Sequence, residues 1–186
     1  MMRVAALLAL AAALQGNACK GGGGGTASGG GKAQAPAAPA DPVQALYNAG
    51  KYPEALPLLE ARAASQRTGT LLYEIGYARG AVGGADGVEQ KKQMWSQAEP
   101  LLESEVAVPG GATLDRLYYL TVMNYEKGDQ DAVHKFAQQG IDQIENGPDA
   151  QHLSGEDWFR IGRLHEILNQ ASESEAAHRR AVSAFR

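Results

Sequence analysis

The sequence predicts an all-α fold: a short α-solenoid of antiparallel helical hairpins, preceded by a disordered tether. Three observations predict it. The stretch Tyr52-Pro53-Glu54-Ala55-Leu56-Pro57-Leu58-Leu59-Glu60 returns, 43 residues on, as Trp95-Ser96-Gln97-Ala98-Glu99-Pro100-Leu101-Leu102-Glu103. Both read aromatic, two spacers, Ala, one spacer, Pro-Leu-Leu-Glu, and self-similarity at such a period points to a stacked structural unit. Two further segments, Leu72-x-x-Ile75-Gly76 and Trp158-x-x-Ile161-Gly162, place a glycine beside bulky apolar residues, as close helix packing requires. Finally, composition changes sharply at Asp41, so that only residues 41–186 can bury a core.

In chain order, Met1-Met2-Arg3 is a short basic start and residues 4–14 are an unbroken run of Val, Ala and Leu. This reads as a signal peptide over residues 1–18. Eleven apolar residues in a helix rise about 16 Å, half of a ~30 Å hydrocarbon core, which disfavours a permanent span. The single cysteine, Cys19, follows a small residue at the end of this segment and has no second cysteine to pair with. Its place is similar to that of the acylated cysteine of bacterial lipoproteins, although Gly16 stands where their lipobox carries Leu. Gly16-Asn17-Ala18 also fits ordinary signal cleavage, which would give a secreted soluble protein. Lys20 after the cysteine is the kind of residue that, in enteric lipoproteins, goes with outer-membrane sorting on the periplasmic side.

Residues 19–40 form the tether, Gly-rich first and Ala/Pro-rich after, without a large apolar side chain to offset the entropy of ordering. Gly31-Lys32 within it is no phosphate loop, because position 26 is Thr, Ala33 replaces the Ser/Thr, and no strand precedes. Asp41-Pro42 then starts the helical part, Asp as cap and Pro in the first turn. Pro57 and Pro100 are expected early in their helices, where a missing N–H costs least. Asp86-x-x-Glu89, Ser154-x-x-Asp157 and Ser172-x-x-Glu175 read as capping boxes, and Val82-Gly83-Gly84 and Asn146-Gly147-Pro148 as stops.

Taken with Leu117-x-x-Leu120-Thr121, the turns Gly50-Lys51-Tyr52 and Gly128-Asp129, and the small residues Ala55, Ala176, Ala177 and Ala181 in second helices, the segment 42–186 resembles the tetratricopeptide repeat (TPR) family. The resemblance implies about three and a half irregular helical hairpins, with insertions around residues 80–93 and 147–153. It also directs Tyr73, Tyr77, Tyr118, Tyr125, Phe159, Arg163 and Glu166 to the concave face of the stack, where aromatic and Arg side chains anchor partners. The Lys and Asn residues with which some members clamp a terminal carboxylate are missing from the aligned places.

Catalytic and cofactor chemistry finds little purchase. His165-Glu166 lacks the second His of a zinc-protease motif, since position 169 is Asn. His134, His152, His165 and His178 share no ligand spacing, and no Ser stands in a nucleophile-elbow context. The formal net charge of −4, to which residues 1–18 contribute only Arg3, disfavours nucleic acid as a partner. The expectation is a non-enzymatic, membrane-anchored adaptor of the bacterial envelope, without cofactor, metal or small-molecule substrate, that binds a protein or peptide. A narrower version resembles the tetratricopeptide pilotin lipoproteins that help pilus secretins assemble in the outer membrane. A third reading is a structural accessory subunit with no groove ligand of its own.

Overall fold

The computed structural model describes residues 41–145, 147 and 152–185; the expected signal peptide, Cys19 and the expected tether lie outside them. Eight α-helices follow one another in this part: α1 (Pro42–Asn48), α2 (Tyr52–Ser65), α3 (Gly69–Val82), α4 (Gly87–Ala107), α5 (Leu114–Lys127), α6 (Gln130–Glu145), α7 (Gly155–Ile167) and α8 (Ala171–Ala184). They pair in sequence order as four antiparallel hairpins, α1/α2 to α7/α8. The first hairpin is short on one side, because α1 has only 7 residues.

Local chemistry sets most boundaries. Asp41 accepts from the Val43 amide at 3.0 Å, and Thr68 accepts from that of Leu71 at 3.2 Å. Ser154 and Asp157 cap each other's backbone amides at 3.1 and 2.9 Å, the reciprocal box expected there. Gly128 ends α5 in the left-handed region at φ 82°, which a side chain would resist.

Two of the expected boxes are not formed. Asp86 stands before α4 but makes no side-chain cap bond. Ser172 lies inside α8, whose N-cap is Gln170, and its hydroxyl bonds Glu173 instead. Pro57 is the sixth residue of α2, whereas Pro100 is the fourteenth of α4 rather than an early one. The reason is that α4 begins at Gly87, where a β-carbon would stand 2.8 Å from the Gly80 carbonyl oxygen. That close backbone approach lies at the α3/α4 hairpin: of the 80–93 segment, residues 80–82 end α3, Gly84–Asp86 form a 3-10 turn, and residues 87–93 lengthen α4 to 21 residues. Of the 147–153 segment, the structure describes only residues 147, 152 and 153.

The duplicated segment is duplicated in burial too. Ala55 and Ala98, and Leu59 and Leu102, are each 0% exposed. These pairs grip α3 from its two sides, Leu59 with Leu71 and Ile75, Leu102 against Gly69. Glu105 adds a polar lock, accepting from the Gly69 amide at 2.9 Å and pairing with Arg116 of α5 at 3.0 Å.

Curvature follows from which helices touch. Among the odd-numbered helices α3 packs on α5 and α5 on α7, while the even-numbered ones are held apart. Open grooves of about 380 Å³ between α2 and α4 and about 450 Å³ between α4 and α6 mark that splayed side. The odd helices therefore form the inner, concave layer.

Candidate functional site

The concave layer carries an unusual share of the aromatic side chains. Of the 7 tyrosines in the chain, six form one chain of ring contacts across four helices. Tyr52 meets Tyr47 at 5.5 Å and Tyr77 at 5.6 Å. Tyr77 meets Tyr47 and Tyr73 at 6.3 Å each. Tyr73 stacks on Tyr119 at 4.0 Å and on Trp95 at 4.9 Å, and Tyr119 meets Tyr118 at 6.1 Å.

The seven residues expected on the concave face divide by environment. Tyr73 is 3% exposed, sandwiched between Trp95 and Tyr119, with its carbonyl accepting from the Trp95 indole at 3.0 Å. It is a core residue rather than a partner anchor, because the next hairpin covers it. Tyr77 and Tyr118 are half-buried and stand on adjacent helices. Burial raises the Tyr77 hydroxyl to about 12. It raises that of Tyr118 as well, against the opposing charges of Arg163 and Arg160. Arg163 pairs with Glu166 on α7 and lies beside the Tyr118 hydroxyl. Tyr77, Tyr118, Arg163 and Glu166 are thus brought together. Phe159 is not with them: its ring lies 5.5 Å from His178 and so turns toward α8. Tyr125, 46% exposed in the last turn of α5, is the tyrosine outside the ring cluster.

Beside the rings runs a polar chain that sequence reading did not single out. The Tyr119 hydroxyl donates to Glu74 Oε1 at 3.3 Å, and Gln44 Nε2 donates to the same oxygen at 3.1 Å. Gln44 also donates to Asn48 Oδ1 at 3.1 Å. Asn48 in turn donates to Glu156 at 3.2 Å, across 108 residues of sequence. Glu156 pairs with Arg160 at 3.7 Å, and Arg160 with Asp115 at 3.2 Å. All four inner helices are joined in this way, α1 to α7 included.

The charges along it are unevenly compensated. Burial pushes the Glu74 carboxyl above the ordinary carboxylate value, opposed by its bonds from Gln44 and Tyr119, and among the described residues no guanidinium or ammonium forms a salt bridge with it. Arg160 is the reverse case: burial works against its charge, but Asp115, Tyr119, Glu156 and Asp157 hold its pKa above the usual one. A legible signal existed for Glu74. It is the one charged residue in the run Leu71-Leu72-Tyr73-Glu74-Ile75-Gly76, whose residues are all buried, and buried charge is retained only where partners are supplied.

Two of the four histidines have a defined local setting. His165 Nδ1 lies 2.6 Å from Gln170 Oε1, and burial lowers the half-buried His178 below its ordinary value. Among the described residues no group of three or more His, Cys, Asp or Glu is placed to hold a metal ion, and no helix is long and apolar enough to cross a membrane. Compared with known proteins, the chain matches no family model and no curated protein.

Proposed function

We propose that this chain is an interaction adaptor of the cell envelope, akin to tetratricopeptide repeat lipoproteins, which holds a peptide segment of a partner protein against its concave face. One observation carries the reading. Tyr77, Tyr118 and the Arg163–Glu166 pair lie on three consecutive inner helices, each partly exposed, the two tyrosines against the buried rings of Tyr73 and Tyr119 and Arg163 beside Tyr118. Rigid aromatic rings beside a guanidinium are the groups that supply most binding energy at protein interfaces. Tethering through an acylated Cys19 would place that face at a membrane surface, with residues 20–40 as the spacer. Its chemistry is recognition, with no bond made or broken.

The test uses full-length Tyr118→Ala and Arg163→Ala in native membranes, with chemical crosslinking and partner identification. Both variants should keep the wild-type fold while losing about 2 kcal/mol or more of affinity, roughly thirtyfold. Undiminished partner recovery by both variants would remove the concave face from the account. Cys19→Ala should in parallel leave the membrane fraction and stop taking up labelled fatty acid. A wild type that takes up no label would leave the secreted soluble alternative.

A further inference from the structure

The first helix differs from the others in how it is held. It buries no residue completely, whereas α3, for example, buries eight. Its backbone packs on α2. Its apolar side chains Val43, Leu46 and Tyr47 are half-buried against the cluster of Ala55, Leu59, Leu71 and Ile75, and it reaches the rest of the inner layer through Gln44 to Glu74, Tyr47 to Tyr77, and Asn48 to Glu156. Gln44, Tyr47 and Asn48 stand at i, i+3 and i+4, one face of a helix, and that face lies over the concave layer. A three-residue turn, Ala49-Gly50-Lys51, joins it to α2, with Gly50 at φ 71° and nothing within 4 Å of where its β-carbon would be. The Asn48–Glu156 bond is exposed and the Gln44–Glu74 bond only part-buried; exposed polar contacts exchange readily with water, and segments without a fully buried side chain open first.

We infer that α1 is a displaceable, built-in occupant of the concave face, and that the partner segment which replaces it is a short helix presenting two side-chain amides on either side of an aromatic ring. The occupant is specified by what α1 itself offers. Glu74 and Glu156 each accept from an amide N–H, and Tyr77 with Tyr52 receives the edge of a third ring. Short helices laid in a groove are read through such i, i+3, i+4 anchors. This inference rests on the concave-face reading proposed above and adds the chemistry of the ligand and a reason for restraint. A helix tethered through three residues faces its seat at an effective concentration in the millimolar range. A weak intramolecular fit is therefore enough to exclude unsuitable partners.

The test titrates a fluorescent peptide of residues 41–51 into three full-length proteins: wild type, Gln44→Ala/Asn48→Ala, and that double variant with Glu74→Ala/Glu156→Ala added. If α1 leaves its seat free a tenth of the time or less, freeing it fully raises the peptide's apparent affinity about tenfold or more. The expected order is binding to the double variant about tenfold stronger than to wild type, and weak binding again once the two carboxylates are removed. Equal binding to wild type and double variant, or none to either, overturns the inference. Hydrogen exchange on the wild type provides a second reading that needs no variant to fold: amides of α1 should exchange well before those of α5, and equal protection sinks the idea. The two proposals fail separately. Peptide exchange with undiminished partner recovery by Tyr118→Ala and Arg163→Ala would keep the displaceable helix and reject the groove. Lost recovery without peptide binding would do the opposite.

Discussion

Replacing Gly76 with Ala should destabilise the fold, whereas the same change at Gly162 should not, although both glycines occupy the same place in their sequence motif. A β-carbon on Gly76 would stand 2.6 Å from Trp95 Cδ1 and 2.9 Å from Met94 Cβ. Trp95 has no room to retreat, being 6% exposed, stacked on Tyr73 at 4.9 Å and hydrogen-bonded to the Tyr73 carbonyl at 3.0 Å. Overpacking of this kind costs typically 1–3 kcal/mol, and the rigid neighbour places Gly76 at the upper end. Ala gains about 1 kcal/mol over Gly in a helix interior, leaving a net loss of about 2 kcal/mol. At roughly 2–4 °C per kcal/mol for a domain of this size, the melting temperature should fall by about 4–8 °C. At Gly162 the obstacle is the His178 ring, 2.6 Å from the new carbon, but half-buried and free to turn toward solvent. There the helix-propensity gain should offset the clash, and Gly162→Ala should melt within about 1 kcal/mol of wild type. Thermal unfolding followed by far-UV circular dichroism measures both. A Gly76→Ala protein as stable as wild type, or a Gly162→Ala protein less stable than Gly76→Ala, would refute the packing argument.

Two further stability predictions separate core from face and buried charge from neutral. Tyr73→Ala should cost about 3–5 kcal/mol, as for other buried aromatic truncations, and much more than Tyr118→Ala; similar melting temperatures for the two would place Tyr73 outside the core. The Glu74 carboxyl, raised above 4.5 by burial with a further push from Asp115 and an opposing pull from Arg62, holds its proton more tightly folded than unfolded. Its contribution to stability therefore falls as pH rises from 4.5 through the higher folded-state value. Glu74→Gln keeps an acceptor for Gln44 and Tyr119 without the charge, so it should melt at or above wild type at neutral pH, with the difference shrinking as pH drops through the raised folded-state value toward 4.5. A variant that melts lower at neutral pH would show that the charge is stabilising.

The repeat pattern was legible because it is local. Ala55 and Ala98, Leu59 and Leu102, Ile75 and Ile161 announce their burial through spacing alone, and Ser154-x-x-Asp157 announces its helix start through two adjacent-turn hydrogen bonds. What sequence could not supply depends on neighbours far away in the chain. Tyr73 and Phe159 hold the same register in α3 and α7, yet one is 3% and the other 41% exposed. The difference is that Tyr119 of the following hairpin covers Tyr73, while no described hairpin packs beyond α7 and α8. The link from Asn48 to Glu156 arises only once the stack curves enough to bring its first and last inner helices together, and no short-range pattern encodes that curvature. Asp86-x-x-Glu89 marked the start of α4, but the distance from there to Pro100 was not legible as one continuous helix, since that depends on how closely α3 and α4 approach at Gly80 and Gly87.

The most direct test of the concave-face reading is site-specific photocrosslinking in native membranes. A benzophenone amino acid is placed in turn at Tyr77 and Tyr118 on the inner layer, and at Lys92 and Gln139 on outer, exposed positions of α4 and α6. The account predicts one common partner adduct from Tyr77 and Tyr118 and none from Lys92 or Gln139. Adducts arising only from the outer positions, or equally from all four, would contradict it.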